Sequence, residues 1–154
     1  MDGFTDFLIE AVPPELTIQQ KHKAAIKGAI LKKRWDIACS DDHGWTSALE
    51  LKSIVYSKMG KCFSNRIEEA IGVATDLRHV NKAIKLNYFL VIELDQQKSE
   101  AKINKIKDFC NFIEKKTKLY NNVCAILITE DGSYEEVYST VDSFTQKWSG
   151  GQNV

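Results

Sequence analysis

Two apolar runs of strand length constrain this chain most. Residues 88–94, Tyr-Phe-Leu-Val-Ile-Glu-Leu, and residues 123–129, Val-Cys-Ala-Ile-Leu-Ile-Thr, carry almost no polar relief. A strand that shows no alternation is buried on both faces, which places it centrally in a sheet covered by helices on either side. Between the two runs, residues 101–118 read as an amphipathic helix. Ile103, Ile106, Phe109, Cys110, Phe112 and Ile113 form one side, and Lys102, Lys105, Lys107, Lys115 and Lys116 the other.

The rest of the chain is read around that core. Residues 4–12 predict a short amphipathic helix stopped by Pro13 and Pro14. Residues 16–31 predict a second helix, weakened at its far end by Gly28. Residues 35–39 and 45–55 predict two strands joined by the turn Asp41-Asp42-His43-Gly44. Residues 57–64 read as a polar loop, and Ser64 or Asn65 caps a helix over residues 66–85. Residues 134–148 predict a last helix, followed by a frayed tail over residues 150–154. The order α-α-β-β-α-β-α-β-α describes an α/β chain, a mixed β-sheet core flanked by helices. At 154 residues one domain, 1–154, is expected.

Charge is balanced overall, with 21 basic and 21 acidic residues, but it is unevenly spread. Residues 16–34 hold six bases and no acid; residues 119–146 hold five acids and no base. Such polarity lets one side of a neutral molecule meet an anionic polymer, although a solvated basic helix reads the same way. Cys39, Cys62, Cys110 and Cys124 show no paired spacing and read as reduced thiols. His22, His43 and His79 are scattered, unlike zinc ligands. With no leader and no long apolar run, a soluble, cytoplasmic protein without membrane contact is expected.

Chemistry concentrates between residues 32 and 52. Glu50 and Lys52 flank Leu51 on a predicted strand, so both charges share one face while Leu51 turns to the other. Asp36 lies on the preceding predicted strand. Two carboxylates and a lysine converging across a hairpin suit metal-dependent phosphodiester hydrolysis. Asp36, Glu50 and the Leu51 carbonyl would hold Mg²⁺, with Mn²⁺ as a substitute, and Lys52 would orient or deprotonate the attacking water. Glu68, Glu69 and Glu10 are candidates for a further acid. Charge pairs are also common on exposed sheet faces. Here, however, Ala-Leu-Glu-Leu-Lys-Ser-Ile-Val is otherwise mostly apolar, where charge is expensive without a partner.

Asp36, Glu50-x-Lys52 and the stretch Asn65-Arg66-Ile67-Glu68-Glu69-Ala70-Ile71-Gly72-Val73-Ala74-Thr75-Asp76-Leu77 carry a resemblance. The chain resembles the XhoI family of type II restriction endonucleases, within the PD-(D/E)XK nuclease superfamily. The resemblance implies a restriction-endonuclease-like fold and a Mg²⁺-dependent homodimer that cuts double-stranded DNA at a palindrome. It carries Asp36, Glu50 and Lys52 into catalytic roles and sets Asn65, Arg66, Glu68 and Glu69 in a family motif. Residues 53–64 lack the family's Gly/Asn-rich sequence and the stretch after Leu94 is brief, so the chemistry carries over better than the target site. Lys33, Lys58, Lys61, Asn65 and Arg66 are the candidate DNA contacts, with Lys21, Lys23 and Lys27 extending a basic cleft. A structure-selective or weakly specific nuclease, and a non-catalytic DNA-binding module, are the alternatives.

Overall fold

A computed structural model of the chain describes residues 2–10, 12, 16–20 and 23–151. Pro13, Pro14, Lys21, His22 and residues 152–154 lie outside the described residues.

The centre of the fold is a parallel trio, β5 (Gly44–Val55), β6 (Lys85–Glu93) and β7 (Asn122–Ile128). Seven consecutive residues of β6, Leu86 to Ile92, are buried, all apolar or aromatic but Asn87, whose side chain donates to the Ala48 carbonyl at 3.1 Å. Antiparallel strands complete both sides: β1 (Thr17–Gln20) and β4 (Ile37–Asp41) next to β5, and β8 (Tyr134–Tyr138) next to β7. The six strands run in the order β1-β4-β5-β6-β7-β8. This is the mixed, helix-flanked α/β sheet the resemblance implies. β4 and β5 are joined by the expected tight turn, with Asp41 Oδ1 accepting from the His43 amide at 2.7 Å and Gly44 at φ +126°.

Helices cover the two faces. α2 (Met59–Arg78) and α3 (Glu100–Asn111), the latter extended by a π-helical turn over Phe112–Lys116, pack on one core with Ala48, Ile54, Leu86, Tyr88 and Leu90. α1 (Asp2–Glu10) and α4 (Val141–Gly151) pack on the other with Ile37, Leu49, Phe89 and Val91. Even-numbered residues of β5 from 48 to 54 therefore face α2, and odd ones face α1 and α4. Among the described residues, no helix is long and apolar enough to cross a membrane.

Four expectations are corrected. The described residues of 16–31 form no α-helix: β1 is followed by a separate hairpin, β2 (Ala25–Lys27) and β3 (Lys32–Arg34). Ala24 and Ile26 are buried while Lys23 and Lys27 are exposed, a period of two that a helix cannot satisfy. Residues 57–64 are not a loop, because Met59 and Phe63 are buried four residues apart and draw the start of α2 forward, after a 3₁₀ turn at Tyr56–Lys58. That helix also stops at Arg78, short of residue 85. The Arg78 guanidinium there donates to the carbonyls of Leu119, Lys82 and Ile84 and to Asn121 Oδ1. Finally, residues 134–148 divide into β8 and α4 at Ser139, with φ +60°, and Thr140 Oγ1 caps the new helix by accepting from Ser143 N at 3.0 Å.

The cysteines are free, with Cys39, Cys110 and Cys124 buried and Cys62 partly so. His43 and His79 are exposed.

Candidate active site

Strand alternation puts Glu50 and Lys52 on the α2 side of β5 and turns Leu51 into the opposite core. Glu50 is only 5% exposed, one of the few charged groups the fold encloses. Its two oxygens meet two ammoniums. Lys52 Nζ stands 3.0 Å from Oε1, and Lys33 Nζ stands 3.0 Å from Oε2. Glu69 closes the cluster from α2, with Oε1 at 3.1 Å from Lys52 and 3.5 Å from Lys33, and Oε2 at 3.5 Å from Arg66 Nη1.

Asp36 is not a strand residue as expected; β4 begins one residue later, and Asp36 sits in the bend after β3. It nevertheless reaches the predicted neighbour. Its amide donates to the Leu49 carbonyl at 3.1 Å, and its Oδ2 accepts from the Leu51 amide at 2.7 Å. The carboxylate takes over where the β4–β5 backbone ladder ends, which fixes it beside Glu50. Glu50 and Glu69 thus share Lys33, Lys52 and Arg66, and Asp36 lies beside Glu50 on the Leu51 amide.

The electrostatics follow from burial and neighbours. Burial raises the Glu50 pKa; Lys33 and Lys52 pull it down, Asp36 pushes it up, and the balance stays above the ordinary carboxylate value. Burial works against the Lys52 ammonium, but Glu50 and Glu69 outweigh it and hold that pKa above normal. At Glu69, burial likewise opposes ionisation, and Lys52, Lys33 and Arg66 overcome it to lower the pKa.

A native pKa above 10.5 at Lys52 contributes stability in full below that pH and loses it as pH rises through the native value. The stability difference between the wild type and Lys52→Met, read by urea unfolding, is therefore expected to shrink above pH 10.5.

The remaining sequence candidates are sorted by position. Lys33, read as a DNA contact, stands 3.0 Å from Glu50 Oε2. Glu68 is exposed on α2, one residue from the cluster. Glu10 ends α1, which packs on the opposite face of the sheet, away from Glu50. Lys58, Lys61 and Asn65 are exposed at and just after the start of α2, and Arg66 is half-buried against Glu69. Sequence reasoning missed Tyr88. It pairs with Glu50 in the β5–β6 register, and its hydroxyl is buried in the cleft wall without a hydrogen bond. Burial first, and Glu50 second, push its phenol pKa far up. The only cue was a hydroxyl in an otherwise aliphatic and aromatic run.

The donor set suits a hard divalent cation in type, since Asp36, Glu50 and the Leu51 carbonyl all offer oxygen. Glu50 Oε2 is buried and makes no hydrogen bond, although the Lys33 charge lies close to it. Asp36 and Glu50 are also near enough to repel. Among the described residues no three acids, histidines or cysteines are grouped so as to hold a metal ion.

Lys52 is thus set between two carboxylates, Glu50 and Glu69, on a central strand of the mixed sheet. Residues 1–146 match the sequence model described as Restriction endonuclease XhoI, and the chain belongs to that family. The type II restriction enzyme AbrI of Azospirillum brasilense is 38% identical over 87 residues, which cover 50% of this chain and 37% of that protein. The type II restriction enzyme XhoI of Xanthomonas vasicola is 49% identical over 45 residues, 29% of this chain and 18% of that protein. The chain thus spans well under half the length of the curated relatives it matches. No solved structure matches it.

Proposed function

We propose that this protein is a metal-dependent endonuclease that hydrolyses double-stranded DNA at a specific site, acting as a single-domain, cytoplasmic homodimer. The observation that carries this reading is Glu50, a carboxylate enclosed in a mostly apolar strand and held between Lys33 and Lys52, with Asp36 beside it. A buried ion cluster is weak evidence for stability, because well-packed apolar residues often serve a fold as well or better. Its presence in the strand that the family match covers favours chemistry.

Asp36, Glu50 and the Leu51 carbonyl would hold Mg²⁺, for which Mn²⁺ could substitute. When bound, the cation would polarise the scissile phosphate and acidify water. Lys52, held as the ammonium by Glu50 and Glu69, donates from Nζ to orient the attacking water and offsets the charge that gathers on the phosphoryl oxygens. Glu69 keeps the Lys52 chain from swinging away and holds Arg66 in place. Asn65, Arg66, Lys58 and Lys61 lie along one helical segment and contact phosphates, giving salt-dependent affinity. Two copies read a palindrome, since a symmetric site is met by a symmetric dimer.

The test is cleavage of a panel of plasmid and phage DNA with Mg²⁺, beside EDTA and Glu50→Gln controls. Discrete bands that vanish in both controls are expected. A smear lost in both controls would replace site specificity with weak or structure-selective cleavage. Intact DNA with both Mg²⁺ and Mn²⁺ would sink the enzymatic reading and favour a binding module.

A further inference from the structure

We propose that the β2–β3 hairpin is a rigid ribbon that docks into a groove of duplex DNA; this rests on the nuclease reading above. The hairpin is two-faced. Ile26 pairs with Lys33, and both point inward, Ile26 into the core and Lys33 onto Glu50. The alternate positions point outward and bring Lys27, Lys32 and Arg34 onto one exposed face. Among the described residues none of these three cations is ion-paired.

The tip is unusual because it is both apolar and immobilised. Ile30 is 87% exposed and Leu31 47% exposed, side by side. Yet their amides donate to the two oxygens of Asp76, at 2.8 and 3.0 Å, and the Ala29 amide donates to the Asp76 carbonyl at 3.3 Å. A Cβ at Gly28 would collide with the same carboxylate, so glycine alone allows this close approach. Asp76 lies on α2, the helix that also carries Glu69. At the other end, Lys33 and the Trp35 amide, which donates to the Ala24 carbonyl at 3.0 Å, fix the root. The ribbon is therefore held at both ends against the cluster that would cut.

Fixing two bare aliphatic side chains in water gives nothing back to the isolated fold. Fixing them for a partner removes the ordering cost of binding. The partner's chemistry follows from the outward face: three cations that form no ion pair among the described residues suit closely spaced phosphates. The major groove of B-DNA is wide enough for a two-stranded ribbon. Lys27, Lys32 and Arg34 contact the backbone that flanks the groove, while Ile30 and Leu31 meet base edges such as the thymine methyl.

The test is fluorescence anisotropy with a labelled mixed-sequence duplex in EDTA, titrated at several salt concentrations with the full chain. The variant Lys27→Ala/Lys32→Ala/Arg34→Ala is expected to bind at least roughly tenfold more weakly and to show a salt slope shallower by about 1 per lost contact. Ile30→Ser/Leu31→Ser is expected to weaken binding at an unchanged slope. Both keep the wild-type unfolding midpoint, because all five side chains are exposed or outward. Wild-type binding that these variants reproduce in affinity and slope would overturn the ribbon and leave the nuclease reading intact. No duplex binding by the wild type would overturn both. If the tip variant instead changes only the sedimenting mass, the tip is a contact between copies, and the DNA assignment fails.

Discussion

Replacing Lys52 by alanine is expected to slow duplex cleavage by about 10²–10⁴-fold while leaving DNA binding in place. The expectation rests on a contrast within one cluster. Lys52 and Lys33 each stand 3.0 Å from a different oxygen of Glu50, and both approach Glu69. As counter-ions for a buried carboxylate the two are nearly equivalent, so their alanine variants should destabilise the fold by similar amounts. As chemical groups they differ, because Lys52 shares a strand face with Glu50 whereas Lys33 reaches over from the hairpin. Single-turnover cleavage at saturating enzyme separates the two roles. A purely structural cluster predicts matched behaviour for the two variants in both stability and rate. A catalytic Lys52 predicts matched stability and a much larger rate loss at Lys52. Cleavage by Lys52→Ala at the wild-type rate would remove Lys52 from the mechanism.

Glu69 sharpens the same point. It is bound to Lys52, Lys33 and Arg66, and its pKa is lowered, so it is charged wherever the protein is folded near neutrality. It keeps Lys52 protonated and in place, a positioning role. The approach of a phosphate between Arg66 and Lys52 would compete with Glu69 for both cations.

The central strands β6 and β7 were legible in the sequence because burial on both faces leaves a run of apolar residues that needs no period to recognise. Periodicity failed where it was ambiguous. Lys23 and Lys27 are four apart, a spacing that fits one helix face and one strand face equally well, so the β2–β3 hairpin read as a helix. The buried pair two apart, Ala24 and Ile26, decides the matter, but burial is a tertiary fact. The start of α2 was hidden for a related reason: its first turns are polar apart from Met59 and Phe63, which matter only once the sheet beneath them exists. In the site, Glu50 and Lys52 were legible because alternation alone puts them together. Asp36 was placed correctly beside them but for a different reason, since it holds the Leu51 amide at the end of a ladder instead of lying within a strand. Glu69 and Glu10 looked equally plausible as additional acids; only the assignment of helices to faces separates them. Lys33 reached the cluster through the misread hairpin, so its contact with Glu50 had no signature in the sequence.

The largest stability effect is expected on the other face of the sheet. Trp148 is fully buried among Leu8, Val12 and Phe144, and its indole Nε1 donates to the Leu8 carbonyl at 2.9 Å. This bond joins α4 to α1 across 140 residues of sequence, so one side chain closes the two ends of the described chain onto the sheet. Trp148→Ala is expected to lower the unfolding free energy by about 3–5 kcal/mol, from lost apolar burial and the cavity left behind. Trp148→Phe keeps most of the ring and removes the donor, and should lose about 1–3 kcal/mol through the stranded carbonyl and the volume deficit. Urea unfolding of the three proteins checks both values. Because Glu50 and its partners face α2, the fraction of Trp148→Ala that remains folded should bind duplex DNA as the wild type does. A loss below about 1 kcal/mol in Trp148→Ala would mean that α1 and α4 unfold independently of the central sheet.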